Sequence, residues 1–211
     1  MKPVSLIHGP LAPLLVPNID TDVIVRVDRL MEFQKGELGR YLFEPLRYFE
    51  DGRENPLFVL NQHGFRHAVV LLAGENFGCG SSREGAVWAL LDFGIQCVVA
   101  PSFGDIFIGN CLQNGLLPIV MDGATIAGLA QQGGPGRPPV TVDLRRGLLT
   151  QPSGEAITFA LPNDQRDRFL SGMDEIDETL RFAEAITRHQ SHIREATPWI
   201  FLKEHAPLDE G

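Results

Sequence analysis

The chain has 211 residues, 44% of them hydrophobic and 21% charged, and its formal net charge is −9. This composition is typical of a globular protein with one main core, and the acidic balance leaves little for electrostatic binding of nucleic acid. The longest apolar run, residues 68–73, is far below the roughly 20 residues of a membrane span, and the N-terminus lacks the apolar stretch of a signal peptide, so we expect a cytoplasmic protein.

The first 67 residues are predicted to be rich in loops. They carry the turn signals Pro17-Asn18, Asp51-Gly52 and Asn55-Pro56. After this segment the pattern becomes regular. Short apolar runs rich in β-branched residues predict buried strands at residues 68–74, 95–101 and 117–121.

Helical patterns separate these predicted strands. Ala86, Leu90 and Phe93 recur at helical spacing between the first two strands, and Gly94 is a typical C-terminal stop. A similar stripe follows the second strand, and Asn114-Gly115 closes it. The resulting β-α-β-α-β order predicts a parallel sheet with crossover helices.

The last third of the chain has a different texture. Residues 133–139 read GGPGRPP, which excludes a helix and predicts a linker. A hairpin-like section is expected to follow, formed by residues 140–144 and 156–160. Residues 173–193 have apolar positions at helical spacing, which predicts one long amphipathic helix.

The metal-binding residue types are scattered. Cys79, Cys97 and Cys111 are the three cysteines, widely spaced and without a C-x-x-C pair. This argues against a disulfide framework and against a zinc or iron–sulfur site within the chain. His189 and His192 would share a helix face, where a solvated surface is the expected role. We therefore expect no metal site.

Residues 74–86, GENFGCGSSREGA, crowd three glycines in front of a helix. A phosphate loop would need a lysine that is absent, a dinucleotide fingerprint would need glycine in place of Arg83, and neither serine fits a G-x-S-x-G elbow. Two interpretations remain open. Ser81 and Glu84 match a capping box, whereas the strand-to-helix junction and the arginine fork suit an anion site.

Four longer motifs resemble one known family. They are NIDTDVI at 18–24, NPLFVLNQ at 55–62, NFGCGSSRE at 76–84 and APSFGDIFIGNCLQNGLLPIV at 100–120. Together they are similar to the small subunits of 3-isopropylmalate dehydratases, in the aconitase superfamily. The likeness runs from Leu14 to Trp199, nearly the whole chain.

The resemblance implies an α/β fold, a three-layer β/β/α swivelling domain like the aconitase C-terminal domain, with a central, mainly parallel sheet. Residues 1–211 would form this single domain, with a core at about 14–160 and a C-terminal helical extension at about 163–199. The domain would close over a cleft in a separate large subunit. That partner would hold a [4Fe-4S] cluster, and this chain would bind no cofactor itself.

The resemblance also implies residue roles. Ser81 would be the base that removes a carbon-bound proton, and Arg83 would hold a substrate carboxylate. The other residues expected to bind substrate are Ser82, Gly80, Asn76, Asp20, Thr21 and Asp22. For Asp20, Thr21 and Asp22 two roles remain open, a turn with Asx hydrogen bonds or part of the cleft that faces the large subunit. Cys79 would be a packing residue.

Two departures from the family bear on the substrate. Gly85 replaces the histidine of S-S-R-E-H-A, and the segment 26–39 differs from the usual I-I-P-A-R-[FY]-L continuation. This segment is expected to set specificity through Arg26, Arg29, Leu30, Met31 and Phe33. The predicted function is the small subunit of a leucine-biosynthetic hydro-lyase acting on isopropylmalate. The alternatives are a sister dehydratase for another alkyl- or methyl-malate and a catalytically silent paralogue.

Overall fold

The structure is a computed structural model that describes residues 1–134, 136–173 and 175–201. The chain forms two compact units, Met1–Gly172 and Met173–Gly211. In chain order, the strands and helices are β1 (Leu6–Gly9), β2 (Leu11–Leu14), α1 (Thr21–Ile24), α2 (Val27–Glu32), α3 (Glu44–Arg47), β3 (Val70–Ala73), α4 (Glu84–Phe93), β4 (Cys97–Ala100), α5 (Asp105–Asn114), β5 (Leu117–Val120), α6 (Gly123–Gln132), β6 (Val140–Asp143), β7 (Leu148–Thr150), β8 (Ala156–Thr158), α7 (Asn163–Ser171), α8 (Glu175–Leu180) and α9 (Ala183–Ala196). Short 3₁₀ helices occupy Leu38–Tyr41, Val59–Asn61 and Pro198–Ile200.

A parallel sheet with strand order β2-β3-β4-β5 forms the centre of the first unit. Leu71 lies opposite Ala12 on one side and Val98 on the other. Helix α4 connects β3 to β4 and α5 connects β4 to β5, which confirms the predicted β-α-β-α-β order. Gly94 and Gly115 end these helices in the left-handed conformation, as predicted, with φ of 113° and 84°. Because the strands are parallel, their carboxyl ends meet at one edge of the sheet.

Apolar clusters cover both faces of this sheet. Successive residues of a strand point to opposite faces. Leu71 and Ala73 of β3 therefore belong to a cluster shared with α4 and α5, whereas Val70 and Leu72 belong to a second cluster. The second cluster also contains residues of α6, α7 and the antiparallel strands. Helices, parallel sheet and antiparallel sheet thus form the three layers that were predicted.

The antiparallel sheet has strand order β1-β6-β7-β8. The predicted hairpin between residues 140–144 and 156–160 is wrong in its pairing, because β6 pairs with β7 and β7 pairs with β8. A tight turn directly after β6 explains the difference. Gly147 has φ of 65°, and Asp143 Oδ1 accepts the Arg146 backbone N–H at 3.0 Å. The chain therefore returns at Leu148, eight residues before the predicted second strand at 156.

The first 67 residues contain more structure than the sequence predicted. Strand β1 belongs to the antiparallel sheet and β2 to the parallel sheet, and the rest of the segment folds into short helices and turns. Strand β2 contains Pro13, which cannot donate a backbone hydrogen bond to a neighbouring strand. It is tolerated because β2 is an edge strand of the parallel sheet.

In the described part of the second unit, helices α8 and α9 replace the single long helix predicted over residues 173–193. The break lies at Phe182, which has φ of −101° and ψ of 14°. Ile176, Leu180 and Ile186 of the predicted apolar stripe are exposed. None of the described helices is both long and apolar enough to span a membrane. Residue 135 of the predicted linker and residue 174 of the predicted helix lie outside the described residues.

Candidate functional site

The glycine stretch lies at the carboxyl edge of the parallel sheet, between the loops that follow β2 and β4. The Gly78 N–H donates to the Ile19 carbonyl at 2.8 Å, and the Phe77 N–H donates to the Ser102 carbonyl at 3.1 Å. The Cys79 carbonyl accepts the Thr21 N–H at 3.0 Å. Backbone hydrogen bonds on both sides therefore fix this loop as an extension of the sheet.

An aromatic cluster lies beneath the loop. The ring centroids of Phe77 and Phe107 are 5.5 Å apart, and those of Phe103 and Phe107 are 6.3 Å apart. A side chain at Gly78 would place its Cβ 2.3 Å from Phe107 Cγ, and its φ of 71° also favours glycine. Close packing against Phe107 therefore accounts for the glycine at position 78. The loop lies directly on this aromatic cluster.

The two serines project from this loop into solvent. Ser81 and Ser82 are both exposed, and Arg83 is half-buried. The Arg83 N–H donates to the Ser81 carbonyl at 2.8 Å, so the three residues form a compact turn immediately before α4. The structure thus places a hydroxyl pair and a guanidinium together at the N-terminus of a ten-residue helix.

The predicted capping box is wrong. Helix α4 begins at Glu84, and its N-cap is Arg83, which makes no side-chain cap hydrogen bond. Glu84 instead accepts the Asn114 Nδ2–H at 2.7 Å. Asn114 Oδ1 in turn accepts from Trp88 Nε1 and from Lys35 Nζ, both at 2.9 Å. Sequence reasoning missed this role of Asn114, since the contact joins residues thirty positions apart and no local pattern marks it.

The NIDTD motif packs against the serine turn. Asp20 is the N-cap of α1 and accepts the Val23 N–H at 2.8 Å, so it takes the Asx-type role. The buried Thr21 donates its hydroxyl proton to the Ser81 carbonyl at 3.2 Å. Asp22 forms an ion pair with Arg83 Nη1, in which the two side chains are 54% and 22% exposed. One short helix therefore contacts both Ser81 and Arg83.

Asn76 and Gly80 shape the same edge. Asn76 has a positive φ of 58°, and its Nδ2 donates to Asn18 Oδ1 at 2.8 Å. The Asn76 backbone N–H donates to Ser102 Oγ at 2.9 Å. Gly80 is exposed, and a Cβ there would lie 3.4 Å from Asp20 Cβ. The structure thus brings all the residues predicted to bind substrate to one edge of the sheet.

The charges of the predicted specificity segment are neutralised locally. Arg29 forms two hydrogen bonds to Glu44, at 3.0 and 2.8 Å, and this carboxylate raises the pKa of the Arg29 guanidinium. Arg26 pairs with Asp28 at 3.1 Å. Leu30 packs half-buried against the core, whereas Met31 is 85% exposed. The positive charges of Arg26 and Arg29 are therefore paired with neighbouring carboxylates.

Phe33, the remaining residue of the predicted set, packs beneath Arg40, whose Cζ lies 4.7 Å from the ring centroid. A cavity of about 510 Å³ lies beside α2 and α3, and Arg26 and Glu44 are among its lining residues. Among the residues that the structure describes, Ser81, Ser82 and Arg83 do not line this cavity. We therefore place the candidate site at the sheet edge and not in this cavity.

Comparisons with known proteins give the family. The aconitase C-terminal domain family matches residues 1–124. The 3-isopropylmalate dehydratase small subunit of Rhodospirillum centenum is 44% identical over 200 residues, which cover 94% of this chain and 98% of that protein. The protein of the same name from Rhizobium etli is 46% identical over 192 residues, covering 90% of this chain and 95% of that protein. The chain belongs to the aconitase C-terminal domain family.

A solved structure agrees with this assignment. A crystal structure of 3-isopropylmalate dehydratase from Methanocaldococcus jannaschii is similar with a TM-score of 0.62 and 26% sequence identity. The match covers 88% of this chain and 99% of that one. The resemblance inferred from the four motifs and the aconitase C-terminal-domain-like fold are therefore confirmed.

The cysteines of this aconitase C-terminal domain do not fit an iron–sulfur cluster. Cys97 and Cys111 are fully buried in different apolar clusters, and burial raises the pKa of both thiols. Cys79 lies apart from them, half-buried in the site loop. Within the described residues, no group of three or more histidines, cysteines or carboxylates could hold a metal ion. His189 and His192 are exposed on α9.

Proposed function

We propose that this chain is the small subunit of a cytoplasmic 3-isopropylmalate dehydratase. With a large subunit it interconverts 2-isopropylmalate and 3-isopropylmalate through the dehydrated alkene, in leucine biosynthesis. One observation carries the proposal: Ser81 and Arg83 lie together, solvent-accessible, at the carboxyl edge of the parallel sheet. The near full-length similarity to small subunits of that enzyme supports the same assignment.

Ser81 is the proposed base. A serine hydroxyl is a poor base in water, so its deprotonated form must be favoured by positive potential. The N-terminus of α4 and the guanidinium of Arg83 both supply such potential beside Ser81. The hydrogen bond from the Thr21 hydroxyl to the Ser81 carbonyl, at 3.2 Å, holds the backbone of the serine turn and does not involve the Ser81 hydroxyl. The carbon-bound proton would then pass to Ser81 Oγ.

Arg83 is the proposed carboxylate ligand. Its guanidinium has five N–H donors in a planar fork, of which Nη1 contacts Asp22 in the free subunit. Asp22 is more exposed than Arg83, so it holds the guanidinium from the solvent side. A substrate carboxylate can bind the Arg83 guanidinium beside Asp22, or it can displace Asp22 from the guanidinium. In both cases Asp22 keeps Arg83 in position before substrate binds.

The edge that carries these residues is also suited to a large subunit. Exposed apolar side chains follow the ends of β2 and β4, namely Leu15 at 43%, Val16 at 50% and Ile106 at 56% exposure. They lie toward the same carboxyl edge of the sheet as the serine turn, so a partner that covers this edge would enclose Ser81. A [4Fe-4S] cluster in the large subunit would act as Lewis acid on the departing hydroxyl, and the cysteines of this chain do not compete for that role.

The segment 26–39 is the proposed determinant of the alkyl group. All malates present the same carboxylates to Arg83, so discrimination needs an apolar surface elsewhere. With Arg29 bound to Glu44 and Arg26 bound to Asp28, the segment still offers Leu30 and Met31 for that surface. This favours an alkylmalate, and a sister dehydratase for a smaller alkyl group is the alternative that the same geometry allows.

Activity measurements on the assembled enzyme test the proposal. The chain is combined with its large subunit, and kcat and KM are measured for 3-isopropylmalate, 3-methylmalate and malate. We expect turnover of 3-isopropylmalate, and Ser81→Ala should lower kcat by orders of magnitude with little change in KM. Ser153→Ala, an exposed serine in the β7–β8 turn, is the matched control. Near-normal turnover in Ser81→Ala would refute the proposed base, and an assembled but inactive parent would favour a silent paralogue.

A further inference from the structure

Gly85 is the second residue of α4, two positions after Arg83, and it is buried. An added Cβ would lie 2.3 Å from Leu30 Cδ2, 2.8 Å from Leu30 Cδ1 and 3.1 Å from Leu30 Cγ. Carbon atoms in van der Waals contact are normally about 3.5–4.0 Å apart. The leucine side chain therefore occupies the volume that any side chain at position 85 would need.

Leu30 is the contact between α2 and the first turn of α4. Helix α2 has no buried residue, and Val27 and Met31 on either side of Leu30 are 50% and 85% exposed. Helix α2 is tied to α3 by the paired side-chain hydrogen bonds from Arg29 to Glu44. Leu30 contacts the first turn of α4, whereas the later part of the segment contacts the last turn of α4, where the Gly36 and Leu38 N–H groups both donate to the Asp92 carboxylate.

We propose that Gly85 is a positioning residue for substrate specificity. By having no side chain it seats Leu30 against the first turn of α4, where Leu30 forms an apolar wall at a fixed place relative to Ser81 and Arg83. The wall contacts the 3-alkyl group of the malate. This inference rests on the proposed function, and it explains why a glycine and an altered segment 26–39 occur together in one chain.

A methyl group at position 85 would displace the Leu30 side chain without changing the fold, because the nearest atoms it meets all belong to that side chain. Rotation about the terminal bond of Leu30 displaces Cδ1 and Cδ2, but it leaves Cγ at 3.1 Å from the new Cβ. The whole side chain must therefore swing away from α4, which is possible because it is only half-buried. This movement takes the apolar wall away from the place where it contacts the alkyl group.

Four variants of the assembled enzyme test the inference: Gly85→Ala, Leu30→Ala, the double variant and Gly128→Ala. The measured quantity is the ratio of kcat/KM for 3-isopropylmalate to kcat/KM for unbranched malate. We expect Gly85→Ala to lower this ratio about 10-fold or more, the size of effect typical of one displaced apolar contact. In the Leu30→Ala background the same substitution should change the ratio less than about 2-fold, because nothing remains to be displaced. Gly128 lies inside α6 with no atom within 4 Å of an added Cβ, so Gly128→Ala should leave the ratio unchanged.

Methyl NMR of Leu30 in the isolated subunit provides a readout independent of activity. Gly85→Ala should shift the two Leu30 methyl resonances, and Gly128→Ala should not. An unchanged substrate ratio despite shifted methyl resonances would overturn the inference. So would an equal loss of kcat/KM for every malate, which a purely structural role predicts, or an equal effect of Gly85→Ala with and without Leu30. A parent enzyme that turns over no malate would instead refute the proposed function, and the inference with it.

Discussion

Replacing Arg83 by lysine separates a bidentate carboxylate ligand from a simple positive charge. Lysine keeps the charge and can still reach Asp22, but it cannot offer two parallel N–H donors to a second carboxylate. A hydrogen bond to a charged group contributes about 1.5–3 kcal/mol, and 1.36 kcal/mol corresponds to tenfold. Loss of one such bond predicts a decrease of about 10- to 150-fold in kcat/KM, expressed partly as a higher KM. Steady-state kinetics of the Arg83→Lys enzyme with 3-isopropylmalate measures both constants.

The fold should be almost unaffected by this change. Arg83 and Asp22 form a solvent-accessible ion pair, with side chains 22% and 54% exposed, and such pairs contribute about 0.2–1 kcal/mol. Arg53 pairs with Asp51 at 2.7 Å on the surface, so Arg53→Lys is a matched Arg–Asp control for which we expect normal kinetics. The reasoning would be refuted if Arg83→Lys and Arg53→Lys had the same kcat/KM, since Arg83 would then be one surface ion pair among others.

Two further predictions concern the isolated subunit and its internal support. The purified chain alone should be colourless, contain no stoichiometric iron and show no dehydratase turnover, because its cysteines do not form a cluster site; absorbance, iron analysis and an assay before and after adding the large subunit check this. Asn114→Ala should lower the free energy of unfolding by about 1–3 kcal/mol, since it leaves the partly buried Trp88 N–H and Glu84 carboxylate without their partner. Urea denaturation of the subunit measures the difference, and an unchanged midpoint would mean that water replaces Asn114.

The centre of the fold could be predicted from sequence because its signals are local. The strands β3, β4 and β5 are unbroken apolar runs, and Gly94 and Gly115 mark the helix ends by a conformation that favours glycine. The N-terminal third lacked such signals. Its short helices are held by tertiary contacts, such as the hydrogen bond from the Phe43 N–H to the Ile24 carbonyl at 2.8 Å. Such contacts join distant positions, so periodicity does not reveal them.

In the candidate site, too, local sequence patterns did not reveal the contacts between residues that are distant in the chain. Family resemblance grouped NIDTD with the serine turn, and the structure supplies the contacts between them, from Thr21 to the Ser81 carbonyl and from Asp22 to Arg83. The capping box failed for a physical reason. The local pattern predicted that the Glu84 carboxylate would accept a backbone N–H at the start of its own helix. In the structure it accepts the side-chain N–H of Asn114, on the neighbouring helix, at 2.7 Å.

Gly85 illustrates why a stability argument alone does not account for a glycine in a helix. Alanine there would favour the helix by about 1 kcal/mol. It would also expel Leu30, and full burial of a leucine contributes about 1.5–3 kcal/mol, of which a half-buried side chain supplies roughly half. The two effects nearly cancel, so Gly85→Ala should change the free energy of unfolding by less than about 1 kcal/mol, whereas Gly128→Ala, with open space for its Cβ, should raise it by about 0.5–1 kcal/mol. Urea denaturation of both variants distinguishes the cases. A large destabilisation by Gly85→Ala would show that the glycine serves core packing, and near-neutral stability would leave the position of Leu30 as the property that the glycine controls.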